Sequence, residues 1–193
     1  MLQNIEKFFS SLSQTTFRPN LSFSIDLPLS EEWSLLTNGH FKPTLDSIIY
    51  LAKKSKKLVE EKAKSLKLKA FCAFHFTFGL FNPDIELETA LNILNTLKLP
   101  FVIVNFNTGR FIPTLSVEKA LEITRSVLGK TSVIIGCMRP YAKWRRKFDE
   151  KVVELPIRAI VKPTTKIAST CEFPYCCSFV CYNELNSNTT EVE

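Results

Sequence analysis

Cys171, Cys176, Cys177 and Cys181 form a Cys-x4-Cys-Cys-x3-Cys arrangement near the C-terminal end of the chain. Thiolates so close in sequence can share a zinc ion or an iron–sulfur centre, because soft sulfur ligands suit both. The spacing lacks the Cys-x2-Cys pairs of a standard zinc ribbon, and redox-inert core thiols are the plainer alternative. Geometry disfavours a disulfide between the adjacent Cys176 and Cys177.

A second constellation is Cys137-Met138-Arg139-Pro140, which follows the apolar run Ser132-Val133-Ile134-Ile135-Gly136 and opens a basic helix carrying Arg145 and Asp149. In parallel α/β proteins ligands bind at the carboxyl ends of strands, where loops and helix N-termini converge. Arg139 and Arg145 could hold a carboxylate or phosphate through paired hydrogen bonds; salt bridges to Asp149 or Glu150 are the alternative. Cys137 is either a ligand-facing thiol or a small buried hydrophobe. His75, between Phe74 and Phe76, reads as a satisfied core histidine, and His40 follows Asn38-Gly39 in a loop. No Ser/His/Asp or Cys/His arrangement is suggested by position, which gives hydrolase chemistry little support. A Walker-type phosphate loop and a Gly-x-Gly-x-x-Gly turn are both absent.

The elements that must position these residues belong to a chain of 193 residues, long enough for one core and short for two. Its 45% hydrophobic and 23% charged content is that of a globular protein. Much of the net charge of +6 sits in Lys53 to Lys69 and Lys143 to Lys147 and reads as solvated helix faces. A nucleic-acid interface would want exposed aromatics among the basic residues. Trp144, Phe148, Val152 and Leu155 instead fall at helical spacing and are expected to pack inward. No apolar run is long enough to span a membrane. Met1 to Thr16 carries Glu6 and no apolar block, which argues against a signal peptide and for a cytoplasmic protein. Six cysteines in that setting read as metal, redox or core residues before a disulfide frame.

Leu2, Ile5, Phe8, Phe9 and Leu12 predict an amphipathic helix over 2–12. Strands are expected at Leu21 to Asp26, Ala70 to Phe76, Phe101 to Phe106, Ser132 to Cys137 and Ile157 to Val161. Between them run helical stripes: Leu45, Ile48, Ile49, Ala52, Val59, Ala63 and Leu66; Leu87, Ala90, Leu91, Leu94 and Leu97; then Val117, Ala120, Leu121, Thr124, Val127 and Leu128. Short buried strands alternating with amphipathic helices mean right-handed βαβ units and a parallel sheet. About five parallel strands fit an open doubly wound sheet or an incomplete (β/α) barrel. Residues 1–163 would form this unit, and 164–193 a cysteine-containing segment with a polar tail.

From Phe76 to Pro163 the sequence resembles the C-terminal half of radical S-adenosylmethionine proteins related to biotin synthase, in particular archaeal members linked to lipoyl synthesis. The residues that carry the resemblance are Cys137-Met138-Arg139-Pro140, Arg145 five residues after the proline, Asp149 four further on, Ile157, Ile160, and Pro163 fourteen beyond Asp149. Upstream, His75-Phe76-Thr77-Phe78-Gly79-Leu80 is similar to the strand and glycine turn of that family, with Glu88 as the counterpart of its next glutamate. Thr108-Gly109-Arg110 before Pro113 is similar to its Gly-Thr turn. Pro83, Leu87 and Pro156 stand where glycines are usual.

The resemblance implies an incomplete (β/α) barrel in which Gly79, Glu88, Cys137 and Arg139 bind the cofactor and Arg139 and Arg145 the substrate. The family's cluster motif, Cys-x3-Cys-x2-Cys, does not occur. Without its own [4Fe-4S] cluster the chain would not be a radical enzyme alone. It would complete the substrate cavity of a partner-dependent enzyme, with S-adenosylmethionine and an iron–sulfur cluster shared with a cluster-bearing subunit, or it would self-associate. Sulfur insertion, or a related radical step on an acyl or small organic substrate, would be the reaction. A catalytically inert binding module and a metal-binding accessory protein, using zinc or iron at the four C-terminal cysteines, are the alternatives.

Overall fold

The computed structural model describes residues 1–16, 19–36, 43–107, 115–136, 142–152, 154–155 and 159–160. In chain order the elements are α1 (Leu2–Ser13), β1 (Leu21–Leu27), α2 (Trp33–Leu36), α3 (Leu45–Ser65), β2 (Ala70–Phe78), α4 (Pro83–Thr96), β3 (Phe101–Phe106), α5 (Val117–Leu128), β4 (Ser132–Ile135), α6 (Ala142–Val152) and β5 (Ala159–Ile160). The short α2 carries no periodic stripe and was not expected from the sequence. Strand β4 stops at Ile135, short of the expected Cys137, which lies outside the described residues. Of the expected Ile157–Val161 strand, Ala159–Ile160 is a described strand.

Strands β1 to β4 pair in parallel and in sequence order, and the two-residue β5 extends that order by pairing with β4. Sequential order is what successive right-handed crossovers of one sense produce, and it places their helices on a single face. The core shows this directly. Ile25, Leu27, Phe74, Phe76, Phe78, Val102, Val104, Phe106, Val133 and Ile135 all fall on one side of the two-residue strand period. They pack against Ile48 and Ala52 of α3, Ala90 and Ile93 of α4, Leu121 and Ile123 of α5, and Phe148 and Val152 of α6. Phe76 and Phe78 are fully buried, and truncating a phenylalanine of this kind to alanine costs about 3–5 kcal/mol.

Local chemistry sets the helix ends. Thr44 and Ser47 form a reciprocal capping box at α3, and Asn82 caps α4 ahead of Pro83, whose missing N–H is harmless in the first turn. Ser116 caps α5. Helix α3 ends in a Schellman motif, with Leu68 N–H donating to Ala63 O at 2.8 Å and Lys67 N–H to Lys64 O at 3.2 Å. Lys67 takes the left-handed conformation there, at φ 54°. Helix α1 packs against α3 through Ile5, Phe9 and Val59, and Phe9 stacks on Phe23 of β1 at 5.2 Å.

The aromatics of α6 pack inward. Trp144 stacks on Phe148 at 5.3 Å, both rings meet Phe106, and Trp144 Nε1–H donates to Leu115 O at 2.8 Å. The aromatics of this helix therefore form a buried stripe rather than a contact surface.

Candidate functional site

At the carboxyl end of β2 the chain turns at Gly79, which has φ 80°. A side chain there would be strained by that φ, and its Cβ would stand 3.1 Å from Asn107 O. The turn is clamped from both sides. Glu86 of α4 accepts from the backbone N–H groups of Gly79, Leu80 and Phe81 at 2.5, 3.1 and 2.9 Å. Asn107 donates its backbone N–H to Phe78 O at 2.7 Å and its side-chain amide to Gly79 O at 3.2 Å.

Glu86 is 0% exposed. Burial pushes its carboxyl above the ordinary value; the three backbone donors pull the other way, and the Glu32 charge adds to the rise. Glu88, which the resemblance makes a cofactor-binding residue, is exposed. Two residues are about 200° around a helix, so the two glutamates leave opposite sides of α4. The available signal was that Glu86 falls on the stripe of Ala90, Ile93 and Leu94, where a carboxylate needs fixed partners.

The second face of the sheet carries a different constellation. Asp26 of β1 is paired in register with His75 of β2, and Thr77 of β2 with Asn105 of β3. These residues alternate with the core set and so share the face opposite to it. His75 is 3% exposed. Its Nε2 lies 2.7 Å from Ser24 Oγ, and its Nδ1 lies 3.1 Å from Asn105 Nδ2. An Asn105 amide that donates to Nδ1 leaves the proton of a neutral ring on Nε2, facing Ser24; the other tautomer, with the amide turned, reverses both bonds. Burial holds the imidazole below its usual value, and the Asp26 carboxylate opposes that more weakly.

Gly136, next after β4, makes the arrangement possible. A Cβ at this position would overlap the Asn105 side-chain oxygen. Toward the amino ends of the strands the same face becomes apolar, with Ala73 and Ile103 buried among the partly buried Phe71, Phe101 and Ile134. Among the described residues this cluster is built from strand side chains alone.

The expected site residues divide sharply. Gly79 stands at the clamped turn, with the N–H groups of residues 79 to 81 taken by Glu86. Cys137, Arg139, Cys171, Cys176, Cys177 and Cys181 lie outside the described residues, as does the side chain of Arg145 on α6. Among the described residues no group of three His, Cys, Asp or Glu side chains could hold a metal ion. Cys72 faces the helices, and burial pushes its thiol up to about 12, which leaves it protonated and unreactive. His75 is buried and hydrogen-bonded as the sequence indicates, on the face opposite the helices, and its partners Ser24 and Asn105 lie far from it in sequence. The only sequence signals for them are the alternation Ser22, Ser24, Asp26 in β1 and one asparagine in the apolar β3. No helix among the described residues is long and apolar enough to cross a membrane. No family model, curated protein or solved structure matches the chain.

Proposed function

We propose that the chain is a half barrel whose second sheet face is one wall of a small-molecule cavity completed by another polypeptide. The observation that carries this reading is the division of labour across the sheet. Every described helix that joins the main core packs on one face, while the other presents Ser24, Asp26, His75, Thr77 and Asn105 above an apolar floor. Parallel sheets are ordinarily covered on both faces, and in a closed barrel the second face is the interior. A few convergent polar groups over apolar side chains is the usual make-up of a ligand wall. The sequential order of β1 to β4, with β5 following, is the order of an incomplete barrel.

With the resemblance to radical S-adenosylmethionine proteins, the completing chain would be a cluster-bearing subunit, and the substrate an acyl or small organic molecule that receives sulfur or a related radical step. The described residues fit the substrate side of that division better than the cofactor side. The backbone donors of the Gly79 turn are engaged by Glu86, and the sequence has no Cys-x3-Cys-x2-Cys to hold the cluster. The cluster would therefore fall to the partner, and the described part of this chain would bind and orient substrate. Self-association would cover the same face with a second copy.

Anaerobic co-purification, followed by S-adenosylmethionine binding with and without the recovered partner, tests the reading. Binding only with the partner is expected; its absence in both states removes the radical-enzyme assignment. Iron, zinc and sulfide assays of the purified chain, before and after Cys176→Ser and Cys177→Ser, test the metal-accessory alternative.

A further inference from the structure

The Ser24, His75 and Asn105 side chains have a geometry that substrate binding alone does not use. We propose that Ser24 is an acyl-accepting nucleophile, with His75 as its base and Asn105 as the positioning residue that orients the imidazole. A hydroxyl within hydrogen-bond reach of an imidazole, itself held by a third side chain, is the general signature of an activated serine. Here the distances are 2.7 Å for Ser24 Oγ to His75 Nε2 and 3.1 Å for Asn105 to His75 Nδ1. Ser24 is exposed, so an acyl group can reach it, while the base is buried.

Two proton arrangements satisfy these distances. In one, Asn105 donates through Nδ2 and Nε2–H points at Ser24. A half-turn of the amide presents Oδ1 to Nδ1–H and leaves the Nε2 lone pair facing the serine O–H, the arrangement a base requires. The space that permits this belongs to Gly136, beside which the Asn105 amide lies. The ring is uncharged at neutral pH because burial lowers its proton affinity. Asp26, the charged group that faces it from β1 among the described residues, stabilises the imidazolium as it forms. Among the described residues of β3, Ile103 is its register partner and Asn105 bonds its Nδ1, both uncharged.

The fitting substrate is an ester or thioester with an apolar acyl or aryl group. Phe71 and Phe101 lie on the same face toward the amino ends of their strands, with ring centroids 6.4 Å apart, and can receive that group. Asp26 disfavours an anionic one. In the first half-reaction Ser24 Oγ bonds to the carbonyl carbon as its proton passes to His75 Nε2. The leaving oxygen or sulfur then breaks from that carbon and takes the proton. Water, deprotonated by the same imidazole, attacks the acyl-serine; the serine oxygen leaves and regains its proton, and a carboxylic acid departs.

This inference goes beyond the cavity-wall reading and needs no second chain, so its failure leaves that reading standing. The test is incubation of the purified full chain with a fluorophosphonate, adduct mapping by peptide mass spectrometry, and labelling rates from about pH 5 to 8. One adduct at Ser24 is expected, at a rate that rises through an ionisation below the usual imidazole value and then levels. His75→Gln should slow it by ~100-fold or more and abolish that profile. Asn105→Asp should preserve labelling but move the ionisation to higher pH, since a carboxylate on Nδ1 raises the proton affinity of the ring. Absence of a Ser24 adduct overturns the proposal, as does an unchanged rate in His75→Gln. Should His75→Gln fail to fold by circular dichroism, an unmoved pH profile in Asn105→Asp overturns it equally.

Discussion

Replacing Asn105 with leucine, close to it in size, removes the partner that His75 Nδ1 has among the described residues and leaves the ring buried at 3% exposure. A buried nitrogen left without its hydrogen bond costs about 1–3 kcal/mol. For a urea slope of about 2 kcal/mol/M, the middle of that range lowers the unfolding midpoint by about 1 M. The pH dependence gives an independent readout. His75 has a folded proton affinity below its ordinary value of 6.5, so its stabilising contribution is fully present above 6.5 and is lost as pH falls through the lower folded value. With Asn105 donating to Nδ1 the bond is made only by the neutral ring, so in that arrangement its removal should raise the His75 ionisation toward 6.5 and narrow the window of acid destabilisation. Urea titrations at several pH values, with imidazole NMR of the two histidines, measure both effects. A midpoint within 0.1 M of wild type, or an unmoved His75 ionisation, would refute the placement of Asn105 on the ring.

The Gly79 clamp predicts that Glu86→Gln destabilises the chain by about 2–4 kcal/mol, because an amide turns one donor toward backbone N–H groups that need acceptors. Since the folded Glu86 carboxyl stands above its ordinary 4.5, its contribution is fullest below 4.5 and diminishes as pH rises through the folded value; denaturation at pH 4.5 and 7.5 should show a larger cost at the lower pH. Trp144→Phe keeps the stack on Phe148 but orphans Leu115 O, and thermal unfolding should register about 1–2 kcal/mol of lost stability. Lys67→Gly relieves the positive φ at the end of α3 and should stabilise by up to about 1 kcal/mol in the same assay.

What the sequence disclosed followed from period. Strands β1 to β3 and the helices between them were legible because apolar residues recur at two or at three and four positions, and the spacing of Trp144, Phe148 and Val152 sent the α6 aromatics inward. By position along the chain Glu88, not Glu86, matches the glutamate of the family pattern. Position around the helix decides which carboxylate meets the turn. The His75 cluster was hidden for a stronger reason. Its partners are 51 and 30 residues away, and they meet only through the register of three strands. A one-residue slip in either pairing would turn Ser24 or Asn105 toward the helices. The same dependence explains Gly136, which in sequence only marks the end of an apolar strand. In the fold, a side chain on the neighbouring strand occupies the place of its missing Cβ. Gly136→Ala would therefore act on His75 through Asn105 without touching the imidazole, and that is how a site built across strands differs from a motif written along one.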